Sequence, residues 1–478
     1  MVRKIIAGLI LVFPLSFINA QDSLLILDVR QCVDIALENN LALRRSQLFK
    51  ENSQINFSQA RARQLPTLNL SGGYNVNFGR SIDPTTNQFV AQQINALGFS
   101  GSSNLTIFNG LRLTNSVRQS KIDLEAAGYD VDKAINDISL TILNAYLTVI
   151  FNQELLENAK YQLESSQKQL DRTKILVSSG ALPRTNELEL ESQVASNEVA
   201  LINAQNNLDL ALLNLKQGMM IPSAQEIEIL VPDIDVEEVA QDVTIEEVYN
   251  NSLQALPEIE SARLNVESAQ MGMRIAKAGY VPTLSASAGF RTNYSGAVDR
   301  PSPIYEGTEP VPIGNVNNDP SLVVYVEQPR VVGEDPSYTV SEQFESNLSQ
   351  YIQVGLSIPV FNGLQAKSNV QRSRISLQQA EIDLLDQKNQ LRQTIETAYN
   401  NALAASKTYT ASLKQVEALE ETFRSVENQY NLGASNFTDY QVASNNLYQA
   451  KSDLVRAKFD FVFKKKLVDF YQGKPLEF

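Results

Sequence analysis

The chain has no histidine, no tryptophan and a single cysteine, Cys32. One cysteine excludes an intramolecular disulfide and a cysteine-based metal cluster. The absence of histidine excludes a nucleophile–histidine–acid set, and no phosphate-binding Walker loop is present. We therefore predict that the protein is not an enzyme and has no catalytic residue, no cofactor and no metal site. Cys32 is expected to be a small apolar residue on a helix.

Basic residues are too few to balance the acidic ones. The 478 residues carry a formal net charge of −14. A chain of this charge repels phosphate, so nucleic acid is not an expected partner.

A largely apolar stretch lies at the N-terminus. Arg3 and Lys4 precede the apolar run from Ile5 to Ile18, and Ala20 is the small residue that suits signal peptidase. This pattern predicts a cleaved signal peptide at residues 1–20. The alternative is an N-terminal membrane anchor, but the run is shorter than the ~20 residues of a membrane helix. No later apolar run is expected to be long enough for such a helix.

The sequence repeats itself once. Phe108-Asn109-Gly110 returns as Phe361-Asn362-Gly363, 253 positions later, and Gly180 returns as Gly433 at the same offset. Leu65-Pro66 returns as Val281-Pro282 at the smaller offset of 216, so the second copy carries one insertion. We infer two similar halves around a pseudo-symmetry axis, a first structural repeat at 21–240 and a second at 241–478.

Between the repeated motifs, apolar residues recur at every seventh position. The four series run from Ile135 to Val177, from Val194 to Leu215, from Ile395 to Tyr430 and from Leu447 to Val468. A sustained period of seven predicts coiled-coil packing. The stretch without proline before Gly180 predicts a helix on the order of 100 Å long. Long helical hairpins are thus expected at about 111–217 and 364–471.

Four other segments alternate apolar and polar residues, which predicts strands with one apolar and one wet face. They form pairs at about 66–108 and 282–361, and their length suits the ~9–11 residues of a tilted membrane strand. Their polar faces consist largely of Ser, Thr, Asn and Gly, as in the lumens of membrane barrels. The alternative is soluble hairpins packed on the helices. Four strands cannot close a barrel, so membrane-spanning strands would have to be pooled by several copies of the chain.

The succession of motifs resembles the TolC-type outer membrane efflux protein family over essentially the whole mature chain. In both copies a proline opens a strand pair, Phe-Asn-Gly closes it, and a long heptad helix turns at a glycine. The turn pattern of that family places an aspartate six residues after the glycine. The second copy has Asp439 at this position, whereas the first copy has Asn186.

This resemblance implies an internally duplicated α+β membrane protein. A homotrimer would share a transmembrane β-barrel, with four strands per chain, above a long coiled-coil α-helical barrel. The protein would lie in the cell outer membrane, extend into the periplasm and act as the passive exit duct of a tripartite efflux or type I secretion system. The implied partners are outer membrane lipid, a periplasmic adaptor (membrane fusion) protein and an inner membrane pump, either proton-driven or ABC.

The resemblance also assigns the two helix turns to the periplasmic entrance. Asp439 and Asn186 are the predicted gating residues there. The predicted adaptor-docking turns consist of Gly180, Ala181, Leu182, Gly433, Ala434 and Ser435. An alternative for Asp439 is that its side chain only caps the second helix of the hairpin.

The insertion in the second copy, about 292–345, is rich in proline and acidic residues. Proline at this density excludes a long helix. Between two outward-running strands the insertion would be an extracellular loop, with a short strand at Leu322–Val326. It would serve as a lid or receptor site, or as a variable solvated loop.

Two other classes of protein share parts of the pattern. A periplasmic adaptor also has a coiled-coil hairpin and β-structure, but it needs no two copies of paired, membrane-length strands. A trimeric coiled-coil surface protein shares the heptads, and single-channel conductance separates it from a duct.

Overall fold

The computed structural model describes residues 25–83, 87–91, 93–231, 244–297, 302–316, 320–335 and 339–474. The predicted signal peptide, and the predicted boundary between the repeats near residue 240, lie outside these residues. The chain divides into two compact units. The first unit comprises the described parts of 1–51, 125–264 and 381–478, and the second those of 52–124 and 265–380.

The first half of the chain alternates short helices, strands and one long helical hairpin. Its elements are β1 (Leu25–Leu27), α1 (Val29–Asn39), α2 (Leu41–Ala62), β2 (Thr67–Asn77), β3 (Arg80–Ile82), β4 (Phe89–Ala91), β5 (Ile94–Phe108), α3 (Arg112–Ser178), α4 (Arg184–Gly218) and β6 (Ile227–Ile229).

The second half has the same order with additions in the middle. Its elements are α5 (Ile245–Ala255), α6 (Pro257–Lys277), a single turn of 3₁₀ helix (Ala278–Tyr280), β7 (Thr283–Ser295), β8 (Ser302–Asn315), β9 (Val323–Asp335), α7 (Val340–Ser346), β10 (Ser349–Ser357), α8 (Gln365–Asn431) and α9 (Phe437–Tyr471). Helices α3 and α8 both have 67 residues, and α4 and α9 both have 35.

The short helices α1 and α5 begin at capping boxes, which satisfy backbone N–H groups that have no partner inside the helix. The Asp28 carboxylate accepts a hydrogen bond from the Gln31 backbone (2.7 Å), and the Gln31 side chain accepts one from the Asp28 backbone (2.9 Å). Thr244 and Glu247 form the same reciprocal pair at α5. Cys32 lies on α1 and is fully buried, as expected.

The long helices pack through their heptad positions. Every residue of the four predicted heptad series is buried or half-buried, which is the packing that a seven-residue period predicts. In the first unit, one hydrophobic cluster joins α1, α3, α4 and the small parallel pair β1–β6, and it contains Ile142, Tyr146 and Leu215.

The sequence predicted that no helix after the signal peptide is long and apolar enough to cross a membrane. This prediction is wrong as far as length and composition are concerned. Among the described residues, α3 contains a stretch that is apolar enough. The apolar residues of α3 from Ile142 to Ile150 are buried against α1 and α4, because they form the core of the helix bundle.

The strands of the second unit include one four-stranded antiparallel sheet in the order β10-β7-β5-β2. All four strands of this sheet lie within the two predicted strand pairs, with β5 beginning at Ile94 and β10 ending at Ser357. Strands β2 and β10 form the two edges. Many large apolar side chains on these edge strands are exposed, among them Leu68, Leu70, Ile352 and Val354.

The insertion was predicted to be a loop with one short strand, but it contains two long strands. Strands β8 and β9 pair as an antiparallel hairpin of 14 and 13 residues, and β9 includes most of the strand expected at Leu322–Val326. The only helix in the described part of the insertion, α7, has seven residues, which agrees with the exclusion of a long helix.

Helix α7 directly precedes β10 in the chain. It contacts the end of β7 that does not pair with β10. The fully buried Gln343 accepts a hydrogen bond from the Ser295 backbone N–H (2.9 Å) and donates one to the Ser295 carbonyl (3.3 Å). Thr292 Oγ1 also donates to the Phe344 carbonyl (2.6 Å). These bonds pair polar groups at the end of β7 that extends beyond its hydrogen-bonded ladder with β10.

Candidate functional site

The first predicted turn ends α3 with a Schellman motif. Gly180 has a φ of +74°. Its N–H donates to the Val177 carbonyl (3.0 Å), and the N–H of Ala181 donates to the Leu176 carbonyl (2.8 Å). These two bonds satisfy carbonyls at the end of the helix, and glycine is the residue that adopts the required left-handed conformation at least cost.

The second turn repeats the geometry of the first. Gly433 also has a φ of +74°. Its N–H donates to the Tyr430 carbonyl (3.0 Å), and that of Ala434 donates to the Gln429 carbonyl (2.8 Å). The prediction that both long helices turn at a glycine is therefore confirmed, and both glycines have a left-handed backbone.

The two turns differ in how the following helix begins. Helix α9 starts with Asn436, whose side-chain oxygen accepts a hydrogen bond from the Asp439 backbone (2.8 Å). Helix α4 follows Pro183, which provides no side-chain cap. The alternative that the Asp439 side chain caps α9 is wrong, because Asn436 occupies the cap position. The sequence signal for this cap is an asparagine three residues before an acidic residue at the start of an apolar period.

Asp439 and Asn186 occupy the same position, the third residue of α9 and of α4. The Asp439 side chain is exposed, and its Oδ2 accepts a hydrogen bond from Ser435 Oγ (3.4 Å). A carboxylate in the first turn also lies in the favourable field of the helix N-terminus. Since this stabilisation leaves the carboxylate in solvent, it remains available to ions or to a partner.

An aromatic cluster behind the second turn was not predicted from the sequence. Tyr440 stacks on Tyr430 with ring centroids 5.0 Å apart, and it contacts Phe423 at 5.6 Å. Phe437 and Tyr440 are buried against Leu190 of α4. Burial raises the pKa of Tyr440 to about 12. This cluster fixes the base of the α8–α9 turn against the α3–α4 hairpin.

Polar contacts near the turns also link the two hairpins of the first unit. Arg172 Nη1 on α3 donates to Asn431 Oδ1 at the end of α8 (2.6 Å). Within the first hairpin, Lys174 and Glu191 form an ion pair (3.5 Å). The turn residues themselves are mostly exposed. The turns at Gly180 and Gly433 are therefore two short, similarly shaped loops on a packed base.

No group of three or more metal-ligating side chains occurs within the described ranges. Both turns are short loops, and the exposed carboxylates beside them include Asp439 and Glu189.

Comparison with known proteins identifies the family. The sequence model of the outer membrane efflux protein family matches residues 32–219 and 248–461. Outer membrane protein TolC of Salmonella enteritidis is 24% identical over 448 residues, which cover 91% of this chain and 79% of that protein. The proteases secretion protein PrtF of Dickeya chrysanthemi is 20% identical over 440 residues, which cover 89% of this chain and 84% of that protein.

The fold agrees with that of a solved structure, the outer membrane protein VceC from Vibrio cholerae. The TM-score is 0.73 at 16% identity, with 94% of this chain and 97% of that chain covered. The chain belongs to the outer membrane efflux protein family. The predicted resemblance and the predicted location, in the outer membrane and extending into the periplasm, are confirmed. Family membership also confirms the prediction that the protein is not an enzyme, because the family is one of outer membrane efflux proteins.

Proposed function

We propose that three copies of this chain form the passive exit duct of a tripartite efflux or type I secretion system. The observation that carries this proposal is the four-stranded sheet with two open edges and exposed apolar side chains. In hydrocarbon every backbone N–H and C=O must be paired within the protein. An open four-stranded sheet satisfies that condition only when strands of other copies close it into a barrel.

The helices extend this argument into the periplasm. The equal lengths of α3 and α8, and of α4 and α9, together with one family match in each half of the chain, support an internal duplication. Two such hairpins from each of three copies would form a helical barrel that continues the β-barrel. The chain has no energy-converting motif, so the pump supplies the driving force.

The turns at Gly180 and Gly433 would dock on the adaptor protein, and Asp439 would lie near the narrow entrance. Three carboxylates close to one axis attract cations and repel anions. Asn186 at the equivalent position carries no charge, so each copy contributes one carboxylate to such a ring. The β8–β9 hairpin would lie on the extracellular side, because it connects two strands at the end opposite the long helices.

Planar-bilayer recording combined with measurement of the oligomeric state tests the proposal. The purified mature protein should be a trimer in detergent and should give discrete conductance steps. A trimeric surface protein would give the trimer without conductance, and a periplasmic adaptor would not insert into the bilayer. A stable monomer with its full strand content in a bilayer would contradict the shared barrel.

A further inference from the structure

The polar face of the four-stranded sheet carries a single charged side chain. Strands β2, β5, β7 and β10 contain no Asp, Glu or Lys, and Arg291 of β7 is their only arginine. Residues that lie opposite each other in an antiparallel sheet project from the same face. Ser100 of β5 and Ser349 of β10 lie opposite Arg291, and Ser71 of β2 lies opposite Ser100. Arg291 therefore belongs to one row of small polar residues that crosses all four strands.

The Arg291 side chain is exposed, and its charge is not neutralised by a neighbour. It forms no ion pair and no hydrogen bond within the described part of the chain. On the same face of β7, closer to the end of the strand, Ser295 Oγ donates a hydrogen bond to the Asp83 carboxylate. Asp83 is fully buried there, so its carboxylate is not exposed on the polar face. The guanidinium of Arg291 is thus available to a ligand.

The groups around Arg291 can donate hydrogen bonds and carry no negative charge. The hydroxyls of Ser71 and Ser100 lie 2.7 Å apart. Tyr351 of β10 lies opposite Gly289, two residues from Arg291 on the same face. A Cβ on Gly289 would be 2.8 Å from Tyr351 Cε1, so the tyrosine ring covers the space that the glycine leaves. A guanidinium beside several hydroxyls suits the oxygens of a carboxylate or phosphate and repels a cation.

We propose that Arg291 of the three copies forms an anion-binding ring inside the β-barrel, which takes carboxylate, phosphate or sulfate groups of transported solutes. This inference rests on the proposed trimer, in which the polar face of each sheet lines the lumen. The first repeat supplies no second ring, because the equivalent of Arg291 is the neutral Asn75 (291 − 216 = 75). The ring is also separate from Asp439, which has the opposite charge and belongs to the other compact unit.

The dimensions of a twelve-stranded barrel bring the three charges within range of one ligand. Strands about 4.8 Å apart and tilted by about 40° give a barrel about 24 Å across, with the three Arg291 Cα atoms about 20 Å apart. Guanidinium groups that extend toward the axis lie closer together than the Cα atoms. The Debye length is ~10 Å at 0.1 M salt, so an anion near the axis is attracted by all three. Screened Coulomb energies at about 10 Å then raise the local ratio of monovalent anions to cations about fivefold.

Planar-bilayer recording with a polyanion tests the ring. Inositol hexakisphosphate is added to each chamber in turn, with uncharged myo-inositol as the control, in bilayers of net-neutral phosphatidylcholine. The polyanion should block the wild-type channel, and Arg291→Gln should require about tenfold more of it for the same block, because three charges are lost from one ring. The matched control is Arg330→Gln, which removes an exposed arginine of β9, outside the four-stranded sheet, and should leave the block unchanged.

Two further variants separate charge from side-chain shape. Arg291→Lys keeps the charge and should lose less block than Arg291→Gln, although lysine cannot hold an oxyanion through two parallel hydrogen bonds. Asn75→Arg combined with Arg291→Gln moves the charge to the equivalent position of the first repeat and should restore the block. The reversal potential in a KCl gradient gives a second measurement. The permeability of Cl⁻ relative to K⁺ should be about fivefold lower in Arg291→Gln, and Asp439→Asn should change it in the opposite direction.

Equal block and equal reversal potential in wild type and Arg291→Gln would overturn the ring. Loss of block that neither lysine at 291 nor added Asn75→Arg prevents would also overturn it, because the effect would not follow charge. If Arg291→Gln does not form trimers, Asn75→Arg in the wild-type background decides: a second ring should strengthen the block, and an unchanged block would contradict the proposal. A wild-type monomer or the absence of conductance contradicts the proposed duct. A conducting trimer that the polyanion does not block contradicts only the ring.

Discussion

Valine at both helix turns, Gly180→Val and Gly433→Val, should weaken export while membrane assembly remains intact. At both positions φ is +74°, and an added Cβ would meet no atom within 4 Å. The cost is therefore one of backbone conformation alone, roughly 1–2 kcal/mol at each turn. A change of that size shifts the equilibrium between the native turn and its alternatives by about 5–30-fold. Such a change is too small to unfold helices of 67 and 35 residues that are held by buried heptad positions.

The assay is efflux of a toxic or fluorescent substrate from cells that carry the variant as their only channel, with trimer content measured in parallel. A matched control is Gly307→Val in strand β8, because Gly307 has a φ of +67° and equally free space. It should incur a similar backbone cost and leave efflux unchanged. Asn at position 433, which tolerates the left-handed conformation better than valine, should lower efflux less. Wild-type efflux in the double valine variant would refute the docking role of the turns.

Two further predictions concern the entrance and the core of the first unit. Asp439→Asn should lower cation selectivity and weaken block by divalent cations in planar bilayers. The control Asn436→Ala removes the cap of α9 at a cost of ~0.5–2 kcal/mol and should lower thermal stability only. Equal selectivity of wild type and Asp439→Asn would remove the gating role. The Cys32 thiol should resist alkylation in the native protein and react after unfolding. Burial raises the pKa of Cys32 from 9.0 to about 12, so the thiol keeps its proton in the folded state while the unfolded chain loses it. The free energy of unfolding should therefore fall between about pH 9 and pH 12, and it should fall more in wild type than in Cys32→Ala. Denaturant titrations measure this free energy, and an identical pH dependence in the two proteins would contradict the prediction.

The long helices could be predicted from sequence because one periodic signal determines both their extent and their packing. Residues such as Ile142, Leu208 and Val416 recur at the heptad spacing, and all are buried. The ends were predictable for a separate reason, since Gly180 and Gly433 interrupt the period at positions that require a left-handed backbone. The aromatic cluster around Tyr440 was not predictable, because its members come from helices whose mutual orientation no local pattern specifies.

The strands show where alternation stops being informative. Period two identified all four strands of the sheet, yet it says nothing about which strands are neighbours. The order β10-β7-β5-β2 depends on how the two halves meet, and the sequence pattern is the same in central and edge strands. Strand β10 ends at Ser357, whereas its equivalent β5 continues to Phe108. That difference follows from pairing, since β5 has a neighbour on both sides and β10 has only β7.

The insertion shows that the meaning of proline depends on pairing geometry. Pro310 and Pro312 of β8, and Pro329 of β9, were expected to exclude a long helix. In the hairpin they lie opposite Glu327, Tyr325 and Thr308, at pairs spaced by two residues along each strand. All three pairs belong to the class in which the backbone nitrogens point away from the partner strand, where a missing N–H costs no ladder bond. The same positions remove donors from the outer edges of the hairpin, which hinders the addition of a further strand. A segment with strands of membrane-spanning length can therefore remain a separate hairpin beside a sheet whose own edges, β2 and β10, carry no proline.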